Sequence, residues 1–161
     1  NQTLQPRSQQ KEFAFTKIMT CGLCGSGITA DEKFKTQKNG NTHRYVYYKC
    51  TRIRDSKCSC GFINEDDLIK QLQNLLDDID LNMVSMREKI SQEVKRFKKF
   101  EQMLIGSKTP VVVKDIDIRN YAKFILQDGS EEEKREFLRC LKSRLEIKNK
   151  IISIKSNPNM Y

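Results

Sequence analysis

Five of the six cysteines lie close together near the start of the chain, and this cluster constrains the fold more than any other feature. Cys21 and Cys24 form a Cys-x2-Cys pair flanked by glycines, which is typical of a tight turn that directs two thiolates at one metal ion. Cys50, Cys58 and Cys60 follow and can supply a second pair of ligands. Four thiolates at about 2.3 Å from the ion are common ligands of structural zinc.

The spacing leaves the fourth ligand open. Cys50-x7-Cys58 is not a standard knuckle but gives the shorter connection, whereas Cys60, like Cys24, is followed by glycine. Disulfides, an iron–sulfur cluster and free structural thiols are the alternatives to zinc. Zinc is favoured because the first ten residues do not resemble a secretory signal and the small sheet expected here has no other staple. A single histidine argues against a catalytic zinc site.

Short strands are expected around the cysteines. A weakly alternating segment over 13–18 predicts a first strand. Two further strands are predicted over 28–34 and 43–50, the latter rich in aromatic and β-branched residues. The segment between them contains Asn39-Gly40, a pair that tolerates positive φ at both central positions of a turn. The pattern therefore predicts a β-hairpin.

The longest regular pattern follows, and it predicts one helix over 65–105 that would run roughly 60 Å. Asn64 can cap its start. Two apolar heptad registers, interrupted only at Glu93, indicate a coiled coil that closes either within the chain or between subunits. The registers comprise Leu72, Leu76, Ile79, Met83, Met86, Ile90, Phe97, Phe100 and Leu104.

The remainder of the chain predicts smaller elements. A short amphipathic helix is expected over 116–127, and Ser130 and Glu133 form a capping box that starts another helix. Short strands are expected over 144–154 with a turn at Asn149-Lys150. The fold class is therefore α+β: a linker (1–12), a zinc β-ribbon (13–63), a coiled-coil region (64–127) and a C-terminal helix with short strands (128–161).

Charge is distributed unevenly along the chain. Its net charge is +9, and residues 1–60 hold 11 basic and 4 acidic residues, so +7 lies in the cysteine-bearing part. A two-stranded ribbon fits the major groove of DNA, and its basic side chains can neutralise phosphates. DNA binding is therefore favoured over a purely solubilising role for these charges. His43 is interpreted as a surface or phosphate contact and not a metal ligand, while Tyr47 and Tyr48 are expected to pack. The predicted DNA contacts are Lys33, Lys35, Lys38, His43, Arg44, Arg52 and Arg54.

Two stretches, FAFTKIMTCGLCGSGITADEK and YVYYKCTRIRDSKCSCGFINEDDL, resemble the zinc β-ribbon domain of large serine recombinases, the integrases and transposon resolvases of phages and mobile elements. The shared features are a Phe/Thr-rich strand leading into CGxCG, a Tyr-Tyr-x-Cys strand end, a later cysteine and an acidic helix start. They cover about residues 10–75. By position the resemblance assigns the fourth zinc ligand to Cys58, giving Cys21, Cys24, Cys50 and Cys58.

The resemblance implies that the ribbon binds attachment-site DNA and that the coiled coil contacts other recombinase subunits. A recombination directionality factor is a further implied partner. The catalytic serine of such enzymes lies in a separate N-terminal domain, so we expect no strand cleavage by this chain, which we interpret as part of a longer protein. We expect a cytoplasmic, nucleoid-associated location and no membrane partner. A zinc-ribbon and coiled-coil scaffold that binds only protein is the alternative.

Overall fold

The computed structural model describes residues 11–79, 87–106, 110, 112, 115–141 and 144–155. Within these ranges the chain is α+β, with four helices and two three-stranded sheets. The elements are β1 (Met19–Cys21), β2 (Ile28–Thr36), β3 (Thr42–Cys50), β4 (Phe62–Asn64), α1 (Glu65–Asp78), α2 (Arg87–Ile105), α3 (Asp115–Asp128), α4 (Glu131–Cys140), β5 (Arg144–Lys148) and β6 (Ile151–Lys155).

The first sheet has the order β2-β3-β4 and is antiparallel throughout. Its hairpin is confirmed: β2 and β3 pair from Ile28 opposite Cys50 to Thr36 opposite Thr42. The turn lies where the Asn39-Gly40 signal predicts it, but only one residue of that pair has a positive φ. Gly40 has a φ of 83°, Asn39 does not adopt a positive φ, and the Gln37 N–H donates to the Asn41 carbonyl at 2.8 Å. Residues 37–41 form the loop at the hairpin tip.

The second sheet joins the two ends of the described chain. β1 pairs in parallel with β5, and β5 pairs antiparallel with β6. The first strand predicted over 13–18 is wrong, since β1 begins at Met19 and residues 14–18 form turns. Ala14 and Phe15 are adjacent and both fully buried, whereas a strand would direct them to opposite faces. The strands predicted over 144–154 correspond to β5 and β6.

Two helix starts follow the capping signals. Asn64 caps α1, its Oδ1 accepting a hydrogen bond from the Asp67 N–H at 2.8 Å. Ser130 caps α4 with a full capping box: its hydroxyl accepts from the Glu133 N–H at 3.1 Å, and the Glu133 carboxylate accepts from the Ser130 N–H at 2.7 Å. Both starts were predicted from the sequence, because a cap depends on residues within a few positions.

The single helix predicted over 65–105 is wrong. α1 ends at Asp78, Ile79 is extended, and α2 begins at Arg87. The last turn of α1 carries acids and no base, which the negative end of the helix dipole disfavours. Arg119 of α3 compensates by donating to the carbonyls of Leu76 and, at 3.0 Å, Ile79. Residues 80–86, which include Met83 and Met86 of the predicted registers, lie outside the described residues.

One hydrophobic core connects the sheets and the helices. Residues from both sheets and from all four helices are buried in one cluster, and Phe15 meets the Tyr48 ring edge-on at 5.6 Å. α3 packs against both α1 and α2, and α1 packs against β3, β4 and β6. In the described parts of the chain, no helix is both long and apolar enough to cross a membrane.

Candidate metal centre and nucleic-acid interface

Four cysteine sulfurs converge at the base of the hairpin. The Sγ atoms of Cys21, Cys24, Cys50 and Cys58 all lie within 4.8 Å of one another. The separations are 3.6 Å between Cys21 and Cys58 and 3.4 Å between Cys24 and Cys50. Tetrahedral zinc with bonds of about 2.3 Å requires sulfurs about 3.8 Å apart. The arrangement therefore fits a four-thiolate zinc site.

Two local turns direct the cysteine sulfurs toward a common centre. In the first, Gly25 has a φ of 72° and its N–H donates to the Cys21 carbonyl at 2.8 Å. In the second, Arg52 has a φ of 58°, and its N–H donates to the Cys50 sulfur at 3.2 Å. Glycine adopts this left-handed conformation readily, whereas arginine adopts it at a cost of roughly 1 kcal/mol. The second turn thus keeps a strained arginine beside the metal ligands.

Cys60 lies next to the cluster without joining it. It is 2% exposed, and its thiol donates to the carbonyl of Ile147 in β5 at 3.2 Å. The same carbonyl accepts the Gly22 N–H at 2.9 Å. Gly22 leaves little room here, since an added Cβ would lie 3.0 Å from the Lys148 Cβ. Cys60 and Gly22 therefore attach the metal-binding turns to the C-terminal sheet.

The electrostatics of the cluster favour a bound cation. The Ser26 hydroxyl, 3.1 Å from the Cys24 sulfur, lowers the pKa of Cys24 to about 6. The Cys60 N–H lowers the pKa of Cys58, but burial and the neighbouring thiols together raise it to about 12. Burial also raises the pKa of Cys50. The thiols therefore cannot all ionise together near neutral pH, whereas a coordinated divalent ion deprotonates its thiol ligands outright.

The hairpin presents two chemically different faces. Because side chains alternate along paired strands, the register of β2 and β3 directs one set to solvent and the other to the core. The inward set includes Val46 and Tyr48, which are 4% and 0% exposed. We call the solvent-facing set the outward face; it comprises Thr29, Asp31, Lys33, Lys35, His43, Tyr45, Tyr47, Lys49 and, from β4, Phe62, with Lys49 and Asp31 forming an ion pair.

The structure places the predicted DNA contacts at different parts of the hairpin. Lys33, Lys35 and His43 lie together on the outward face, and Lys38 lies in the loop at the tip. Arg44 points the other way: its Nε lies 2.8 Å from Glu32, and its guanidinium lies 5.8 Å from the Phe13 ring. Arg44 is thus separated from the lysines with which it was grouped, because adjacent strand positions face opposite sides.

The last two predicted contacts lie in the exposed loop beside the metal site. Arg52 lies two residues after Cys50, and its N–H donates to the Cys50 sulfur. The Arg54 N–H donates to the Ser26 hydroxyl at 3.0 Å, and its guanidinium borders Gly25. Both arginine side chains are exposed. The base of the hairpin is therefore basic on the side of the metal-binding turns.

Aromatic rings support the lysines of the outward face. Lys33 lies 5.9 Å from the Tyr47 ring and Lys35 lies 5.4 Å from the Tyr45 ring. Tyr47 also meets Phe62 edge-on at 5.5 Å. The expectation that Tyr47 and Tyr48 pack therefore holds fully for Tyr48, whereas Tyr47 is half-buried at the surface. Phe62 was missed by the sequence reasoning, although its place two residues before Asn64 and its size were visible.

The cysteine site and its hairpin together define a zinc ribbon. Residues 14–77 match the family described as the recombinase zinc beta ribbon domain. The chain thus carries a recombinase-associated zinc ribbon, and the match ends one residue before the end of α1. No curated protein and no solved structure was found to match the chain.

Proposed function

We propose that this chain is the DNA-binding and subunit-interaction part of a site-specific serine recombinase. The observation that carries the proposal is the match of residues 14–77 to recombinase zinc ribbons, combined with a basic, solvent-facing hairpin. The proposed partners are attachment-site DNA, other recombinase subunits and a directionality factor, with structural zinc as cofactor. The protein would act in the cytoplasm, at the nucleoid, without a membrane partner.

DNA binding is supported by the chemistry of the outward face. Lys33 and Lys35 are exposed and each lies near a tyrosine ring, which restrains the long side chain while its ammonium group stays available. Lysines neutralise phosphates, and a two-stranded ribbon is narrow enough for the major groove. Phosphate contacts of this kind give affinity that falls steeply with salt.

The test is a salt series of binding to mixed-sequence duplex DNA by fluorescence anisotropy. We expect Lys33→Ala with Lys35→Ala to weaken binding and to reduce the salt slope by about two, one unit for each lost phosphate contact. Arg44→Ala is the matched control, since Arg44 pairs with Glu32 on the other face. Equal slopes for the wild type and the lysine double variant would refute DNA contact through the outward face.

Subunit contact is supported by an uncovered apolar segment on α2. Ile90 and Val94 near its start are each 4% exposed, whereas Phe97 and Phe100 are 58% and 60% exposed. The exposed segment continues to the end of the helix through Met103, Leu104 and Ile105. Contiguous apolar surface of this kind marks an interaction site. The helix segment that the sequence assigned to a coiled coil is therefore available for an intermolecular one.

We expect Phe100→Glu with Leu104→Glu to lower self-association without lowering the melting temperature, because both side chains are exposed. Sedimentation velocity over a concentration series measures the association, and Lys95→Glu is an exposed control on the same helix. An unchanged concentration dependence in the double variant would refute this contact.

The proposal includes no strand cleavage by this chain. Ser26, which lies in the metal-binding turn, is 2% exposed, and its oxygen accepts the Arg54 N–H. Its surroundings suit a structural role beside Cys24. Incubation with supercoiled plasmid would reject this part of the proposal if the zinc-loaded chain nicked or relaxed the DNA.

A protein-binding scaffold is the second candidate function, favoured by the same exposed apolar residues of α2. It differs from the first in one measurable respect. A scaffold would retain self-association or protein binding and would show only weak, sequence-independent association with duplex DNA at physiological salt.

A further inference from the structure

The turn between β5 and β6 lies directly beside the outward face of the zinc ribbon. Lys148 pairs with Ile151, so the turn has only two residues, Asn149 and Lys150. The Lys150 ammonium lies 5.4 Å from the centre of the Phe62 ring, and its side chain also borders Gly61. The C-terminal sheet thus brings a lysine to the edge of the ribbon.

Aromatic and cationic side chains connect this turn to the hairpin. Phe62 contacts Tyr47, and Tyr47 in turn lies beneath Lys33. Phe62 is 55% exposed and Ile151 is 64% exposed, so the junction of the two sheets is open to solvent. The sequence of contacts is therefore Lys33, Tyr47, Phe62, Lys150, and it crosses from one sheet to the other.

The backbone of the turn supplies an independent observation. Asn149 and Lys150 have φ values of 50° and 67°. A two-residue turn with both residues in this region strongly favours Asn-Gly, because glycine has no side chain to oppose a positive φ. Asparagine satisfies the first position, but lysine at the second is strained. Such strain is concentrated at functional sites, and here it presents a positive charge at the surface.

We propose that the Asn149–Lys150 turn is a second DNA contact, in which Lys150 binds a backbone phosphate while Phe62 lies against the adjoining sugar. This inference rests on the proposed function, because it adds the Asn149–Lys150 turn to the outward face as a second contact with the same DNA duplex. The partner is inferred from charge: Lys148 and Lys150 are exposed at the turn, and Lys33 and Lys35 are exposed on the hairpin. DNA bound by the ribbon would then also contact the C-terminal sheet.

The decisive variant is Lys150→Gly, which removes the charge and at the same time relieves the turn. We expect its DNA affinity to fall about threefold to tenfold and its salt slope to fall by about one, the signature of one lost phosphate contact. Its melting temperature should equal or exceed that of the wild type, since glycine suits the positive φ. A lysine with only a structural role would not combine weaker binding with undiminished stability.

Lys155→Ala is the control, because Lys155 is at the far end of the same hairpin, paired with Glu146 at 2.9 Å. It removes one positive charge and should leave the salt slope unchanged. All variants are made in the full, zinc-loaded chain and measured on mixed-sequence duplex DNA by fluorescence anisotropy across a salt series. Thermal melts of the same samples give the stability.

The outcomes separate this inference from the proposed function. If the Lys33 and Lys35 double variant loses affinity while Lys150→Gly behaves as Lys155→Ala does, the second contact is overturned and the ribbon contact stands. If neither the double variant nor Lys150→Gly changes binding, the proposed function fails together with the inference. Binding of polyglutamate through Lys150, with no binding of duplex DNA, would also overturn it in favour of an acidic protein partner.

Discussion

The zinc ribbon is built from strands of three to nine residues tied together at four cysteines, whereas α2 and α3 are helices of 19 and 14 residues that pack through apolar side chains. We therefore expect the ribbon to depend on a metal ion at these cysteines, because the ion would hold together turns and strands that are far apart in the sequence. The helices depend on the packing of their apolar faces. On α2 this face is buried at Ile90 and Val94 and exposed at Phe97 and Phe100. A ligand-dependent module and a packing-dependent module thus share one core.

Metal removal should have the largest effect, and it should lower hydrogen-exchange protection in the ribbon but not in the helices. A chelator should remove hydrogen-exchange protection from β2 and β3, because structural zinc contributes about 10–16 kcal/mol in small zinc-binding peptides. Protection in α2 and α3 should persist. β5 and β6 should lose protection with the ribbon, since Gly22 and Cys60 bond to Ile147 of β5. A ribbon that stays protected without metal would contradict this comparison.

The next largest effect should be the difference in bound zinc between variants of Cys58 and variants of Cys60, the two candidates for the fourth ligand. Cys58→Ser should lower bound zinc below one ion per chain, because Cys58 is one of the four clustered sulfurs. Cys60→Ala should retain the ion and lose only the contact with Ile147, a cost of about 1 kcal/mol. Elemental analysis after dialysis measures the zinc, and thermal melts measure the stability. The opposite zinc contents would assign the fourth ligand to Cys60.

Arg119 should matter to the helices and not to the ribbon. Arg119→Met removes the donors to the Leu76 and Ile79 carbonyls, and we expect a loss of about 1.5–3 kcal/mol in urea unfolding. Lys123→Met is the control, since it removes only a partly exposed ion pair with Asp77, usually worth less than about 1 kcal/mol. Equal losses in the two variants would show that Arg119 does not stabilise the end of α1. Zinc content should be unchanged in both.

Glu65 gives the smallest predicted effect, at the junction of the two regions. Burial raises the pKa of Glu65, so the ionised form opposes folding; this cost is absent below the unfolded pKa, near 4.3, and is complete above the folded pKa. Glu65→Gln should therefore raise the melting temperature at pH 7, and the gain should vanish at about pH 4. Asp66→Asn, an exposed neighbour, should give no such gain. A gain from Glu65→Gln that persists in acid would have a different cause.

A feature of the fold could be predicted from the sequence when the residues that determine it lie close together in the chain. The Asn64 cap, the Ser130 capping box and the Asn149-Lys150 turn depend on residues within a few positions, and all three were predicted from the sequence. The hairpin was also predicted, because both strands flank one turn signal. Even there the geometry of the tip was not, since five loop residues left several ways to close the chain.

The sequence by itself therefore determined the metal-binding cysteines as a set, the hairpin, the helix caps and the concentration of positive charge near the ribbon. Tertiary structure decided which residues meet. Cysteine spacing left Cys58 and Cys60 open, the family resemblance favoured Cys58, and the structure brings Cys58 into the cluster. The structure alone placed Cys60 against Ile147, turned Arg44 away from Lys33, ended α1 at the carbonyls that Arg119 contacts and paired β1 with β5. Those outcomes depend on residues far apart in the chain, whose contacts are fixed by the packing of the whole core and by no local pattern.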